Sequence, residues 1–142
     1  MQDRRTFIKQ SCAFCISVAG LGAIVSQLSS CTPMPVYKGE IEKNVLRVPL
    51  SSFGEKSSMV IVRNTKMEFD ILLVKRKDGS FSALEMKCTH QDNPLTANES
   101  GLFCASHGSA FDLEGNVTKE PALKPLRKFR TESGDAAVSI FL

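Results

Sequence analysis

Histidine is scarce in this 142-residue chain: there are two, His90 and His107, so any site that needs imidazole has to be built from these. Excess charge is lacking as well. The net charge is +3, but Arg4, Arg5 and Lys9 against Asp3 fall in the first thirty residues, which leaves 15 basic and 14 acidic residues, or +1, for the remainder. Without a basic surplus or runs that interleave arginine with aromatics, nothing here proposes nucleic acid as a partner. The one dense cluster, Lys75-Arg76-Lys77, reads as a solvated hairpin end. The chain is too short for two ordinary domains but long enough for one with a sizeable core. After residue 45 no stretch keeps a helical period for three turns, which excludes a helical body. Gly20-x-Gly22 lacks a third glycine and a preceding strand, so it is not a dinucleotide-binding turn.

What the chain does have is five cysteines, at 12, 15, 31, 88 and 104. Cys12 and Cys15 form a C-x-x-C inside an apolar stretch with no second pair nearby, and as small hydrophobes of a targeting segment they need no chemistry. Asp3 to Lys9 make a charged start, and an apolar run follows from Cys12 to Leu28. Arg4-Arg5 with Phe7, Ile8 and Lys9 behind them resembles the twin-arginine export signal of bacteria. Leu28-Ser29-Ser30-Cys31 resembles a lipobox, which implies cleavage after Ser30 and lipidation of Cys31. An uncleaved signal anchor is the alternative, because 17 residues of helix span ~25 Å. Either reading expects an exported, membrane-tethered protein on the periplasmic side or at the outer membrane. The division expected is a signal segment over 1–30, a linker over 31–44 and one domain over 45–142. With two prolines and a glycine, the linker reaches at most ~45 Å when extended.

From Val45 onward apolar residues come in short runs bounded by turn formers. Val45 to Leu50, Met59 to Val62, Phe69 to Val74, Phe81 to Met86, Gly101 to Cys104, Ala110 to Leu113 and Ala137 to Phe141 are predicted strands. Lys77-Asp78-Gly79-Ser80 is a predicted hairpin turn. The fold class expected is all-β, with small antiparallel sheets and a site carried on loops.

Both histidines fall in two short motifs, Cys88-Thr-His90 and Cys104-Ala-Ser-His107, thirteen residues apart and flanked by predicted strands. Two loops with two ligands each can close around a metal. A structural zinc would accept this donor set, although C-x-H is not a usual zinc-knuckle spacing. The pattern C-x-H followed by C-x-x-H-G-S resembles the Rieske iron–sulfur proteins. Phe111-Asp112, Gly115-x-Val117, and Pro121-Ala122 followed by Pro125-Leu126 resemble that family's closing strands and the proline loop over its cluster. The resemblance implies a [2Fe–2S] cluster, with Cys88 and Cys104 on one iron, His90 and His107 on the other, and a hydroxyl from Ser109 to a bridging sulfide.

Two neutral imidazoles in place of two thiolates leave the oxidised cluster neutral rather than doubly negative. Rieske potentials therefore run from about −150 to +300 mV rather than near −400 mV. Imidazoles on ferric iron also lose their second proton more readily, which allows His90 and His107 to couple proton to electron transfer. The Rieske subunits of quinol-oxidising cytochrome bc-type complexes carry a disulfide between the ligand loops, and the matching positions here hold Asn93 and Ser106. The expectation is thus a single-electron carrier working with redox partner proteins, not a complete enzyme. The alternative is a Rieske subunit that meets quinol and a b-type cytochrome. Ring-hydroxylating oxygenases are excluded, because their second iron needs two further histidines and a carboxylate.

Overall fold

The computed structural model describes residues 33–142. The signal segment, Cys12, Cys15 and Cys31 lie outside the described residues. Twelve strands follow one another: β1 (Val36–Lys38), β2 (Ile41–Glu42), β3 (Val45–Pro49), β4 (Met59–Arg63), β5 (Ile71–Lys75) and β6 (Phe81–Glu85), then β7 (Thr96–Asn98), β8 (Gly101–Phe103), β9 (Ala110–Phe111), β10 (Val117–Lys119), β11 (Lys128–Ser133) and β12 (Ala137–Phe141). The all-β expectation holds. Among the described residues no helix is long and apolar enough to cross a membrane.

The strands form an eight-stranded sheet, β1-β4-β5-β6-β11-β12-β3-β2, and a four-stranded one, β10-β9-β8-β7. Among the described residues only the β1–β4 pairing is parallel. β11 joins two halves of the larger sheet: Lys128 and Phe129 pair with β6, while Arg130 to Ser133 pair with β12. Side chains alternate between the faces of a strand, and β5 uses both of its faces. Ile71 and Leu73 enter one core with Leu46, Val48, Val60, Val62, Val138 and Ile140. Leu72 and Val74 enter a second core with Leu84, Leu102, Phe111, Leu126 and the two cysteines Cys88 and Cys104. The first core joins residues of β3 and β12 to those of β4 and β5 within one hydrogen-bonded sheet, so that sheet curls over on itself. The second lies between the shared wall β4-β5-β6 and the small sheet. A strand buried on both faces reads as a continuous apolar run, as Ile71-Leu72-Leu73-Val74 does.

The segment expected as a linker over 31–44 is in part sheet. β1 lies beside β4, and β2 pairs with β3 through the two-residue turn Lys43-Asn44. Both turn residues have positive φ, 49° and 62°, as a hairpin of this length requires. Strands of three and two residues are too short to show a period in sequence, and Lys-Asn lacks the glycine that usually marks such a turn. The turn predicted at 77–80 is present: the Arg76 N–H donates to Ser80 O, and Gly79 takes φ 84° at a point where a side chain would be strained.

Candidate metal centre

The first motif follows β6 directly. Lys87 bridges to Pro94, and the Leu95 N–H donates to Met86 O, so residues 86–95 leave the wall and return to it. Inside this excursion the Cys88 N–H donates to Asn93 O at 2.8 Å, and the Asp92 N–H donates to Cys88 O at 2.9 Å. The second motif joins β8 to β9 in the same way. The Cys104 N–H donates to Ser109 O at 2.9 Å, and the Gly108 N–H donates to Cys104 O at 3.0 Å. In each loop the residue four past the cysteine has positive φ, 49° at Asp92 and 81° at Gly108. The two ligand loops are therefore copies of one backbone turn. Such a turn folds the peptide N–H groups after the cysteine back towards its own sulfur.

The cysteines sit inside and the histidines outside. Cys88 and Cys104 are 1% and 2% exposed and are not joined to each other. His90 and His107 are exposed, with ring centroids 5.2 Å apart and planes at 84°. This spacing can be tested against a shared metal. With a metal–nitrogen bond of ~2.1 Å and a centroid ~1.1 Å further on, two imidazoles at a tetrahedral angle have centroids ~5.2 Å apart. The spacing of the rings is thus that of two imidazoles on one metal ion, and the two thiols are buried. Among the described residues no three His, Cys, Asp or Glu side chains converge on a single point. A two-iron centre takes two protein ligands per iron, where a structural zinc takes four on one ion.

Burial pushes the Cys104 thiol up, but this is outweighed by the N–H groups of Ser106 and His107 and then by the Cys88 and Ser106 side chains. Its pKa lies below the ordinary value, which favours the thiolate, the form in which cysteine takes a metal. Ser109, with no exposure, accepts the Ala122 N–H at 3.0 Å and donates to no group among the described residues. Its proton is left for an acceptor in the site. Phe111, 1% exposed, packs in the same core as both cysteines.

A third loop closes over the first two. The Thr89 hydroxyl donates to Lys124 O at 2.6 Å, so residues 121–125 are tied to one ligand loop through Thr89 and to the other through Ser109. Ala122 and Leu126 turn inward against the cysteines, and Leu123 stands 81% exposed at the crest. Pro121 and Pro125 mark this loop in the sequence. The Thr89 tether was missed, because a hydroxyl between two ligands carries no pattern of its own.

Two equivalent loops on an all-β scaffold, each offering a buried thiol and an exposed imidazole, define a class of two-iron electron-transfer proteins. The family model for the Rieske [2Fe-2S] domain matches residues 39–130, well over half of the chain, and the protein belongs to that family. It carries a [2Fe–2S] cluster and serves electron transport. Among relatives, the cytochrome b6-f complex iron-sulfur subunit of Chlorobaculum thiosulfatiphilum is 26% identical over 127 residues, covering 85% of this chain and 69% of that protein. Among solved structures, a chain in the complex of reduced oxygenase and oxidized ferredoxin in carbazole 1,9a-dioxygenase superposes with a TM-score of 0.53 at 23% identity, over 70% of this chain and 94% of that one. The cyanobacterial plasma membrane Rieske protein PetC3 from Synechocystis PCC 6803 gives 0.49 at 19% identity, over 70% and 88%.

Proposed function

We propose that Cys88 and Cys104 hold one iron of the cluster and His90 and His107 the other, in an exported, membrane-tethered carrier of single electrons. The observation that carries the ligand reading is the imidazole pair at 5.2 Å in front of two buried, unbridged cysteines. When bound, the cluster supplies a one-electron couple of raised potential, since imidazole replaces half of the thiolate charge. The protein's own residues do the rest. The buried Cys88 and Cys104 would keep their iron away from water, and the exposed rings of His90 and His107 would meet a partner. Thr89 and Ser109 hold the third loop across the top, and the Ser109 hydroxyl points its proton into the site.

Replacing any one ligand, as in Cys88→Ser, Cys104→Ser, His90→Ala or His107→Ala, should abolish the cluster. An intact Rieske spectrum in one of these variants would remove that residue from the ligand set. The tether is read from the sequence at Cys31 and tested by Cys31→Ser. That variant should become soluble if a lipid is the anchor, and should stay with the membrane if the apolar run 12–28 is.

The similarity to a cytochrome b6-f iron–sulfur subunit favours a second reading, a subunit of a quinol-oxidising complex. Asn93 and Ser106 argue against it, because they leave the ligand loops no disulfide. Copurification decides between the two: a complex subunit comes out with a b-type cytochrome, and a free carrier comes out alone with full cluster content.

A further inference from the structure

The basic triplet Lys75-Arg76-Lys77 has no role so far. It lies where β5 turns into β6, and all three residues are exposed. Elsewhere four surface cations are matched with carboxylates: Arg63 with Asp70, Lys87 with Asp92, Arg127 with Glu85 and Arg130 with Glu132. Among the described residues the triplet makes no such pair. Of the acidic groups beside it, Asp78 is engaged by the N–H and hydroxyl of Ser80. Glu114 lines the same cavity of about 450 Å³ as the triplet, together with the apolar Val74 and Leu113. In the loop before β4, Glu55 and Lys56 offset each other.

Strand direction places the triplet at the end of the wall away from the candidate centre. β6 starts opposite Lys75 and runs through Glu85 to Cys88, so the turn and the first ligand loop lie ~23 Å apart at ~3.3 Å per residue. The chain enters the wall from the turn end. The Ile61 N–H donates to Pro35 O at 2.9 Å, and β1 runs parallel to β4 with Val36 beside Ile61. Pro35 is therefore level with Val60, two strand spacings or ~10 Å to the side of β5. Because Pro35 is already held by the sheet, the reach from Cys31 is four residues, at most ~14 Å, and not the ~45 Å of a linker over 31–44.

We propose that this end of the domain rests on anionic phospholipid headgroups through Lys75, Arg76 and Lys77, which turns the rings of His90 and His107 away from the membrane and towards partners in the aqueous phase. The proposal rests on the reading of Cys31 as the tether. A lipid there holds the triplet within about two Debye lengths of the surface, and each basic residue near anionic headgroups gains about fivefold in binding. With Asp78 and Glu114 set against the triplet, one net positive charge remains, so the lipid-facing orientation is favoured about fivefold. Quinol dissolved in that bilayer would then lie at the end opposite the rings.

The test uses the lipidated, cluster-loaded protein in two kinds of vesicle, phosphatidylcholine alone and phosphatidylcholine mixed with phosphatidylglycerol. Amine-reactive labelling is followed by mass spectrometry at Lys75 and Lys77, with the exposed Lys124 of the third loop as the outward reference. In the mixed vesicles Lys75 and Lys77 should label about fivefold more slowly than in phosphatidylcholine, while Lys124 labels alike in both. High salt should abolish the difference. Arg76→Glu, which keeps both reporters and reverses the net charge of the patch, should abolish it too, and Arg76→Gln should reduce it. Equal rates at Lys75 and Lys77 in the two vesicles, with the protein retained on both, overturn the proposal, and so does slowing at Lys124 in their place. Protein that washes off both kinds of vesicle overturns the tether reading, and the proposal falls with it.

Discussion

At the scale of single residues, Ser109, whose carbonyl accepts the Cys104 N–H, and Phe111, which packs in the core that holds both cysteines, bring opposite endowments. Ser109 is fully buried and uses its oxygen to accept the Ala122 N–H, so Ser109→Ala removes two things at once. The Ala122 N–H is left unpaired in a buried place, which costs about 1–3 kcal/mol, and the site loses a donor. If that donor differs between redox states by about 1 kcal/mol, the potential falls by about 40 mV. Denaturant midpoint and redox midpoint should therefore drop together. Phe111→Tyr is the converse case: at 1% exposure a new hydroxyl has no water to meet, so it must find the cysteine sulfur or stay unpaired. The expected outcome is a potential raised by about 40 mV at little cost in stability. A destabilised variant with an unchanged potential would show that the ring edge does not face the sulfur. The wild-type potential is accordingly expected to be intermediate, below that of quinol-oxidising subunits.

At the scale of elements, the third loop depends on few contacts. It has no strand of its own between β10 and β11, and its backbone is tied to the ligand loops by the Thr89 and Ser109 hydroxyls. Thr89→Val keeps the shape and removes one tie, leaving the Lys124 carbonyl to water. Stability should fall by about 1 kcal/mol, the usual net value of one hydrogen bond. Local opening should rise more than the global loss implies, since a loop held at two points is released at one. Amide exchange at residues 121–125 that speeds up by more than the small drop in midpoint accounts for is the expected signature. Exchange that stays at the wild-type rate there would mean that packing of Ala122 and Leu126, and not Thr89, holds the loop. Sequence and structure part company at this level for a physical reason. Strands legible in the sequence, such as the one predicted over Phe69 to Val74 and found at Ile71–Lys75, or Ala137 to Phe141, carry their burial as apolar runs or alternation. β11 hides its inward Phe129 and Thr131 among Lys128, Arg130 and Glu132, and β7, with its exposed Thr96 and Asn98, shows no apolar face. The ligand spacing was legible because chemistry fixes residue type, whereas the common turn behind both loops was not, because backbone hydrogen bonds leave no trace in composition.

At the scale of the whole molecule, the site joins two structures of unequal strength. The large sheet has five-residue strands and a core of its own, while β7 to β10 run two or three residues each, too short to persist unsupported. The second core attaches the small sheet to the wall, the third-loop hydrogen bonds add to it, and on the proposed ligand set the centre does so too, since Cys88 and His90 follow β6 while Cys104 and His107 lie between β8 and β9. A cluster held by both loops is a cross-link between the sheets and stabilises only the folded form. Removing it leaves the small sheet attached through the second core and the hydrogen bonds of the third loop. Iron removal by chelation and reduction should therefore loosen the molecule unevenly. Amide exchange should accelerate across 96–119 and the ligand loops, while β3, β4, β5 and β12, packed around Val48, Val60, Leu73 and Ile140, keep most of their protection. The comparison is made on one preparation before and after iron removal. Uniform loss of protection would mean that the shared wall couples both cores into one cooperative unit, and uniform retention would mean that the second core suffices without the cluster.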